Sequence, residues 1–322
     1  MSLTFDSARI PNPHLTEDHL AWRDALRRFV DKEIMPYAED WDEAGHIPNE
    51  LWLRAAEVGL LGAGYPEEYG GMPTDSWHSW IIQEELSRVG VGGIAASLFV
   101  HSIGLPPVIN WGSAEMKANI APAVLRGESW ISLGITEPGG GSDVANLATT
   151  AVRDGDHFIV NGSKTYITGG MRANYVSTAV RTGGEGPTGV SMLLIPTDSE
   201  GFSRTRLDRK MGWWASDTAT LYFDNVRVPA DHIIGEENQG FKVIMTNFNN
   251  ERMGMAAAME AYGRVCLEEA VNWATERRTF GKRLADHQVI RHKIAMMKQK
   301  LNATQAYIRI CYEAIEAGEP NA

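Results

Sequence analysis

Along residues 14–128 the apolar positions recur at three- and four-residue steps, the period of a helix with one buried face. Leu20, Leu26, Phe29 and Val30 share such a face. Thr16 stands before them as an N-cap, with Leu15 and Leu20 spaced as a hydrophobic staple, and Pro36 ends or kinks the run. The same period predicts helices over 50–57, 77–88 and 114–125, with a glycine-rich loop at 62–71. At about residue 129 the pattern shifts to alternation, and β-branched and aromatic residues predict short strands over 149–153, 157–160, 164–168, 176–181, 190–195, 219–223 and 226–228. Asp154-Gly155 and Asn161-Gly162 read as hairpin turns. No helical period separates these strands, so an antiparallel sheet of sandwich or barrel type is expected rather than βαβ units.

After Gly240 the helical period returns. Phe241, Ile244, Phe248, Met255, Met259, Tyr262 and Cys266 form one stripe. Ile290, Ile294, Met297, Leu301, Ile308, Cys311 and Ile315 form a second, with Thr304 as its polar member. The expected fold is α+β and multidomain. An α-helical domain spans 1–128, a central antiparallel β-barrel-like domain 129–238, and a C-terminal helical bundle 239–322. Two long helices cannot cover each other, so the bundle reads as truncated, drawing helices from another domain, a second subunit or a further tail.

Composition narrows the classes. The 322 residues exceed a single core, and 43% hydrophobic with 22% charged residues suits a folded chain. With 30 Lys+Arg against 41 Asp+Glu the net charge is -11, which disfavours nucleic acid, since counterion release needs cations facing phosphate. No apolar run reaches about 18 residues, so no membrane span is expected. Cys266 and Cys311 suggest neither a disulfide framework nor a metal site. The N-terminus reads neither as a secretory signal nor as an Arg-rich transit segment. The expected compartment is the cytoplasm of a bacterial cell, or a mitochondrial matrix if a transit peptide has been removed.

Glycine, at 32 residues, is enriched and concentrated mid-chain, where the candidate chemistry also lies. Leu133-Gly-Ile-Thr-Glu-Pro-Gly-Gly-Gly-Ser-Asp143 offers bare backbone to an anion, without the βαβ context of a dinucleotide fingerprint or the Lys of a P-loop. It is either a phosphate-cradling loop or an ordinary mobile one. In Lys164-Thr-Tyr-Ile-Thr-Gly-Gly170, Tyr166 and Thr168 fall on one strand face, and either flank a planar ring or simply pack. Glu276-Arg-Arg-Thr-Phe-Gly-Lys-Arg283 is the sharpest basic cluster, either a helix C-terminus closed by Gly281 or an anion clamp. Glu251 and Arg252 lie within about 50° of the centre of the first stripe, as a salt bridge or as a base in a dry pocket.

Taken in order, four stretches resemble the acyl-CoA dehydrogenase flavoprotein family: Thr136-Glu-Pro-Gly-Gly-Gly-Ser-Asp143, Asn161-Gly-Ser-Lys-Thr-Tyr-Ile-Thr-Gly169, Ala215-Ser-Asp-Thr218 and Glu276-Arg-Arg-Thr-Phe-Gly-Lys282. The resemblance runs from about residue 14 to the end. It implies FAD as cofactor, an acyl-CoA thioester as substrate, a trans-2-enoyl-CoA as product, an electron-transfer flavoprotein as acceptor, and a homotetramer. It also implies that Leu133, Ile135 and Thr136 line the flavin, that Gly141 and Ser142 meet the pyrophosphate and substrate region, and that Tyr166 and Thr168 flank the ring. Tyr166 is a mild departure, because relatives often carry Trp there. Arg277, Thr279 and Gln288 would reach the FAD of a partner subunit, and Asn249 and Arg252 would border the acyl-CoA.

The resemblance also divides subfamilies by the base. Most relatives place a Glu in a C-terminal tail that this chain lacks; long-chain and isovaleryl-type members place it on the helix after the β-domain. Glu251 occupies that second position and is the expected catalytic base. An acyl-CoA oxidase on the same fold and a non-catalytic flavin-binding scaffold are the competing readings.

Overall fold

The computed structural model describes residues 9–319. Its helices are α1 Glu17–Phe29, α2 Ala38–Ala44, α3 Glu50–Glu57, α4 Ser76–Ser87, α5 Gly92–Leu98, α6 His101–Trp111 and α7 Ala114–Leu125. Seven strands follow: β1 Ile131–Gly134, β2 Thr150–Asp154, β3 His157–Thr168, β4 Tyr175–Arg181, β5 Val190–Pro196, β6 Phe202–Arg206 and β7 Thr218–Pro229. The helix α8 Gly240–Glu276, the short strands β8 Arg278–Thr279 and β9 Lys282–Arg283, and α9 Gln288–Glu316 complete the chain. These elements fall into two compact units. One combines residues up to 36, 74–90 and from 251 onward; the other combines 37–73 and 91–250.

In the first unit, α1 begins where the sequence says it should. Thr16 accepts the His19 N–H, and the Thr16 N–H donates to His19 Nδ1 at 3.0 Å, closing a reciprocal cap. The staple is not formed as expected: Leu15 packs against Trp77, Trp80, Ile308 and Tyr312, while Leu20 stays 47% exposed. A π turn at Val30–Ile34 absorbs the approach to Pro36.

Beneath α1 and α4 the core is charged. Glu84, Glu85, Arg88, Glu260 and Arg264 are all buried. Arg23 donates to Glu84 at 2.9 Å, Arg27 to Glu85 at 2.9 Å and Arg88 to Asp31 at 2.8 Å. Buried charges persist only when paired in this way. His19, Asp75 and His78 also converge. Because His19 Nδ1 accepts the Thr16 N–H, its proton sits on Nε2 and donates to Asp75 at 3.0 Å, so hydrogen bonds already satisfy this ring.

The two expected stripes fare differently. On α9 the phase is right: Ile308 is buried with Gln305 and Tyr312, and the earlier members are half-buried. On α8 the first turns bury Ile244 against the helical side of the second unit's core. From Glu251 onward the stripe fails. Met255 and Met259 are 60% and 49% exposed, and Cys266 is exposed. The buried face instead carries Ala257, Ala261, Arg264 and Leu267. Gly263, where a Cβ would lie 2.6 Å from Leu301 Cδ2, marks a close approach of α8 to α9.

In the second unit seven strands form one sheet in the order β1-β4-β2-β3-β7-β6, with β5 pairing β4. The expected antiparallel pairs are present, but β1 and β2 pair β4 in parallel, so the sheet is mixed. Asp154-Gly155 makes its hairpin, Asp154 facing His157. Asn161-Gly162 does not, and that expectation is corrected: β3 runs straight through it with a bulge. Gly162 has φ +144, and a Cβ there would come 2.6 Å from Thr149 Oγ1, so glycine is required by close approach rather than by a turn. The separate strands expected over 219–223 and 226–228 likewise form one strand, β7, with Asn225 at φ 52 between them.

The inner face of the sheet buries Phe158, Val160, Val176, Leu193, Leu221 and Val228. α6 and α7 cover Ile131, Ala179 and Leu194. Gly104 lets α6 lie on β1, for a Cβ would sit 2.7 Å from Ile131 O. One expectation needs correcting here as well. Gly92–Trp111 is long and apolar enough by composition to cross a membrane, although its apolar residues do not form an unbroken run. It folds as α5 and α6, with 61% of the apolar window buried.

Candidate active site

The glycine-rich stretch begins where β1 stops. Ile135 is buried and Thr136 half-buried, whereas residues 139–142 are exposed. Glu137 turns inward and ties both ends of the excursion together. Its carboxylate accepts from the Ala148 N–H at 2.6 Å, the Thr149 N–H at 2.8 Å and Lys164 Nζ at 2.8 Å. Burial alone would raise this carboxyl; Lys164 and the Ala148 N–H hold it below its ordinary value. Lys164, fully buried, is pushed down to about 8 by burial, against the pull of Glu137. Gly141 lies on Thr136, where a Cβ would meet Cγ2 at 3.2 Å, and nothing lies within 4 Å of a Cβ at Gly139 or Gly140.

Tyr166 and Thr168 reach this region from β3, though not by simple alternation. Pairing passes from Lys164↔Leu221 to Ile167↔Ala219, so Thr165 and Tyr166 sit in a bulge. The single-face expectation for Tyr166 and Thr168 is therefore replaced. Tyr166 adopts φ 60 and is 65% exposed, a strained conformation for an aromatic residue. The Thr165 N–H donates to Thr136 O at 2.8 Å, locking the bulge to the loop. Asp217, quoted from the sequence without a role, accepts from the Met171 N–H at 3.0 Å and Arg172 Nε at 2.8 Å, fixing the turn after Thr168. Glu137, Lys164 and Asp217 are the residues that sequence reasoning left without a task. All three lie within the quoted motifs, but no local pattern marked their burial.

On α8, Asn249, Glu251 and Arg252 follow one another along a single turn. Glu251 is half-buried, and desolvation holds its carboxyl up at about 7, with the Arg252 guanidinium pulling the other way. One turn earlier, buried Asn247 donates to Ile103 O at 3.1 Å. That carbonyl is available because Pro107, four residues on in α6, has no N–H to give it.

The basic cluster begins at the C-terminal end of a helix, but Gly281 does not close that helix. α8 ends at Glu276, and residues 278–283 make a small hairpin with Phe280 and Gly281 at positive φ in its turn. Arg277 is exposed, Thr279 half-buried with Oγ1 3.4 Å from His287 Nε2, and Gln288 opens α9 exposed. Arg283 is engaged by Asp286 at 2.9 Å. The structure thus gathers Leu133, Ile135, Thr136, Gly141, Ser142, Tyr166 and Thr168 in one unit, and Glu251, Arg252, Arg277, Thr279 and Gln288 in the other.

Comparison with known proteins decides the family. Models of the acyl-CoA dehydrogenase N-terminal, middle and C-terminal domains match residues 16–128, 132–226 and 238–322. The chain belongs to the acyl-CoA dehydrogenase family. The mitochondrial long-chain specific acyl-CoA dehydrogenase of Sus scrofa is 34% identical over 305 residues, 94% of this chain and 70% of that protein. The acyl-CoA dehydrogenase crystal structure from Geobacillus kaustophilus superposes with a TM-score of 0.93 at 34% identity, covering 96% of this chain and 82% of the other. A glutaryl-CoA dehydrogenase from Mycobacterium smegmatis, solved in complex with FADH2, gives 0.89 at 28% identity, over 95% of this chain and 78% of that one. This acyl-CoA dehydrogenase family member is accordingly an oxidoreductase, with a helical N-terminal region, a curled middle sheet and a helical C-terminal region.

The residues present suit the family's FAD. Thr136 and Thr168 each offer a side-chain hydroxyl that no described residue engages, next to glycines 139 and 140 with open space beside their Cα atoms and an aromatic ring held out by positive φ. Planar, polar-edged ligands take such a donor set.

Proposed function

We propose that this chain binds FAD and oxidises an acyl-CoA thioester to the trans-2-enoyl-CoA. Desolvated Glu251 is the observation that carries the reading. A thioester α-proton is weakly acidic, and a carboxylate removes it only when poorly solvated and close in basicity to the working pH. Glu251, held near 7, meets that requirement and takes the α-proton. Asn249 and Arg252 border the acyl-CoA, and Gly141 with Ser142 offers backbone N–H and hydroxyl groups to its polar portion and to the cofactor pyrophosphate. Leu133, Ile135 and Thr136 support one edge of the ring system, and Tyr166 and Thr168 flank it. Arg277, Thr279 and Gln288 serve a cofactor held with a partner subunit in a homotetramer. Bound FAD supplies the acceptor for the β-hydride at its N5. An electron-transfer flavoprotein then takes the electrons. On the same reading the polypeptide divides at residues 128 and 238, supported by where the three family models begin and end.

Anaerobic mixing of the purified flavoprotein with a series of saturated acyl-CoAs tests this. Bleaching of the flavin absorbance supports the proposal, and the fastest chain length identifies the substrate class. A flavin that no acyl-CoA reduces rejects it. Rapid reoxidation by oxygen with peroxide release would replace the dehydrogenase with an oxidase.

A further inference from the structure

We propose that Lys164 is a positioning residue that aims the Thr136 amide N–H at the cofactor, a role that rests on the FAD reading above. Lys164 Nζ donates to Ile135 O at 3.1 Å as well as to Glu137. In a trans peptide the C=O and N–H point in opposite directions, so fixing Ile135 O on Lys164 turns the Thr136 N–H away from it. The next peptide is fixed too: Thr136 O accepts the Thr165 N–H at 2.8 Å, and the Glu137 N–H donates to Gly140 O at 2.9 Å. Among the described residues, nothing accepts from the Thr136 N–H.

The ammonium does more than orient. A cation bound to the carbonyl polarises its peptide, so the N–H at the other end becomes a stronger donor. A strong donor at the edge of a ring that gains negative charge favours the charged form, as oriented donors do wherever charge develops. Lys164 should therefore strengthen FAD binding and raise its reduction potential without touching it. Glu137 acts as the counter-charge that keeps the ammonium in place and charged, while Ile135 O accepts a second N–H of the same group.

Removing Lys164 alone would strand Glu137 in the interior and risks misfolding, so the comparison is between Glu137→Gln and the double variant Glu137→Gln/Lys164→Met. In both, the amide oxygen introduced by Glu137→Gln still accepts a backbone N–H at the Ala148–Thr149 turn, and neither variant leaves a carboxylate without its cation. Glu137→Gln alone keeps the Lys164 amine as a donor to Ile135 O, without the counter-charge that holds it ionised. The readouts are the FAD dissociation constant, the visible spectrum of the bound flavin and its reduction potential by dye equilibration. The double variant is expected to bind FAD about fivefold more weakly than Glu137→Gln, as loss of one hydrogen bond implies, with a more negative potential and a shifted spectrum. Equal affinities and potentials in the two variants overturn the proposal. A wild-type chain that binds no FAD at all overturns the cofactor reading itself, and is told apart before either variant is made.

Discussion

Glu137 and Glu251 are both withdrawn from water, yet their surroundings push them in opposite directions. Glu137 receives two backbone N–H groups and an ammonium, and stays ionised below its ordinary range. Glu251 is desolvated, with the Arg252 charge as a weaker counterweight, and its carboxyl rises to about 7. The contrast separates an anchor from the proposed base. A carboxylate whose lone pairs are saturated by fixed donors cannot take up a proton near neutrality, whereas one that is poorly solvated is ready to. Proximity to the glycine loop would have favoured Glu137 as the reactive group; its hydrogen bonds exclude it.

Substitution at the two carboxylates should break the comparison most visibly at Glu251. Glu251→Gln is expected to slow flavin reduction by acyl-CoA by about 10²–10⁴-fold, the usual worth of a general base, while FAD remains bound. Stopped-flow absorbance measures this, and near-normal reduction would return Glu251 to a salt-bridging role. The pH profile sharpens the same point. The reactive form is the carboxylate, so kcat/KM should climb with pH and level off above about 7. Below that, it should fall about tenfold per pH unit as the proton is taken up. A profile flat from about pH 5 to about pH 8 would show that another group acts.

At Glu137 the expected effect is on stability. Glu137→Gln removes one partner of a buried pair and should cost roughly 3 kcal/mol, read from urea unfolding. Loss well below about 1 kcal/mol, the range of an exposed pair, would make the anchor dispensable. The smallest effect is expected at Asn247. Asn247→Leu leaves the Ile103 carbonyl, already without a helical donor because of Pro107, unsatisfied in the interior, at a cost of about 1–3 kcal/mol. An unchanged unfolding midpoint would mean that this carbonyl finds another donor.

Much of the secondary structure was legible before folding was considered. Helices at 50–57 and 114–125 coincide with α3 and α7, and the Thr16 cap forms. Failures cluster where a local signal had two solutions. Asn161-Gly162 suits a hairpin turn and a bulge equally well, and only the close approach of Thr149 selects the bulge. Met255 and Met259 extend an apolar stripe on paper, but in the fold another face, with Ala257, Ala261, Arg264 and Leu267, is the one covered. Glu84, Glu85 and Arg264 broke the hydrophobic pattern because their burial depends on partners distant in sequence. α5 and α6 were expected only as part of a helical domain, without bounds of their own.

The sequence by itself determined the family, the order of helical and strand regions and the identity of the candidate residues, because motif spacing and hydrophobic period are properties of the chain. The tertiary structure decided which charges are anchors and which is poised, and which face of α8 is covered. It also decided how Tyr166 is presented, through a bulge that no periodicity announces. Those depend on desolvation and on donors brought from elsewhere in the chain, and neither exists until the chain is folded.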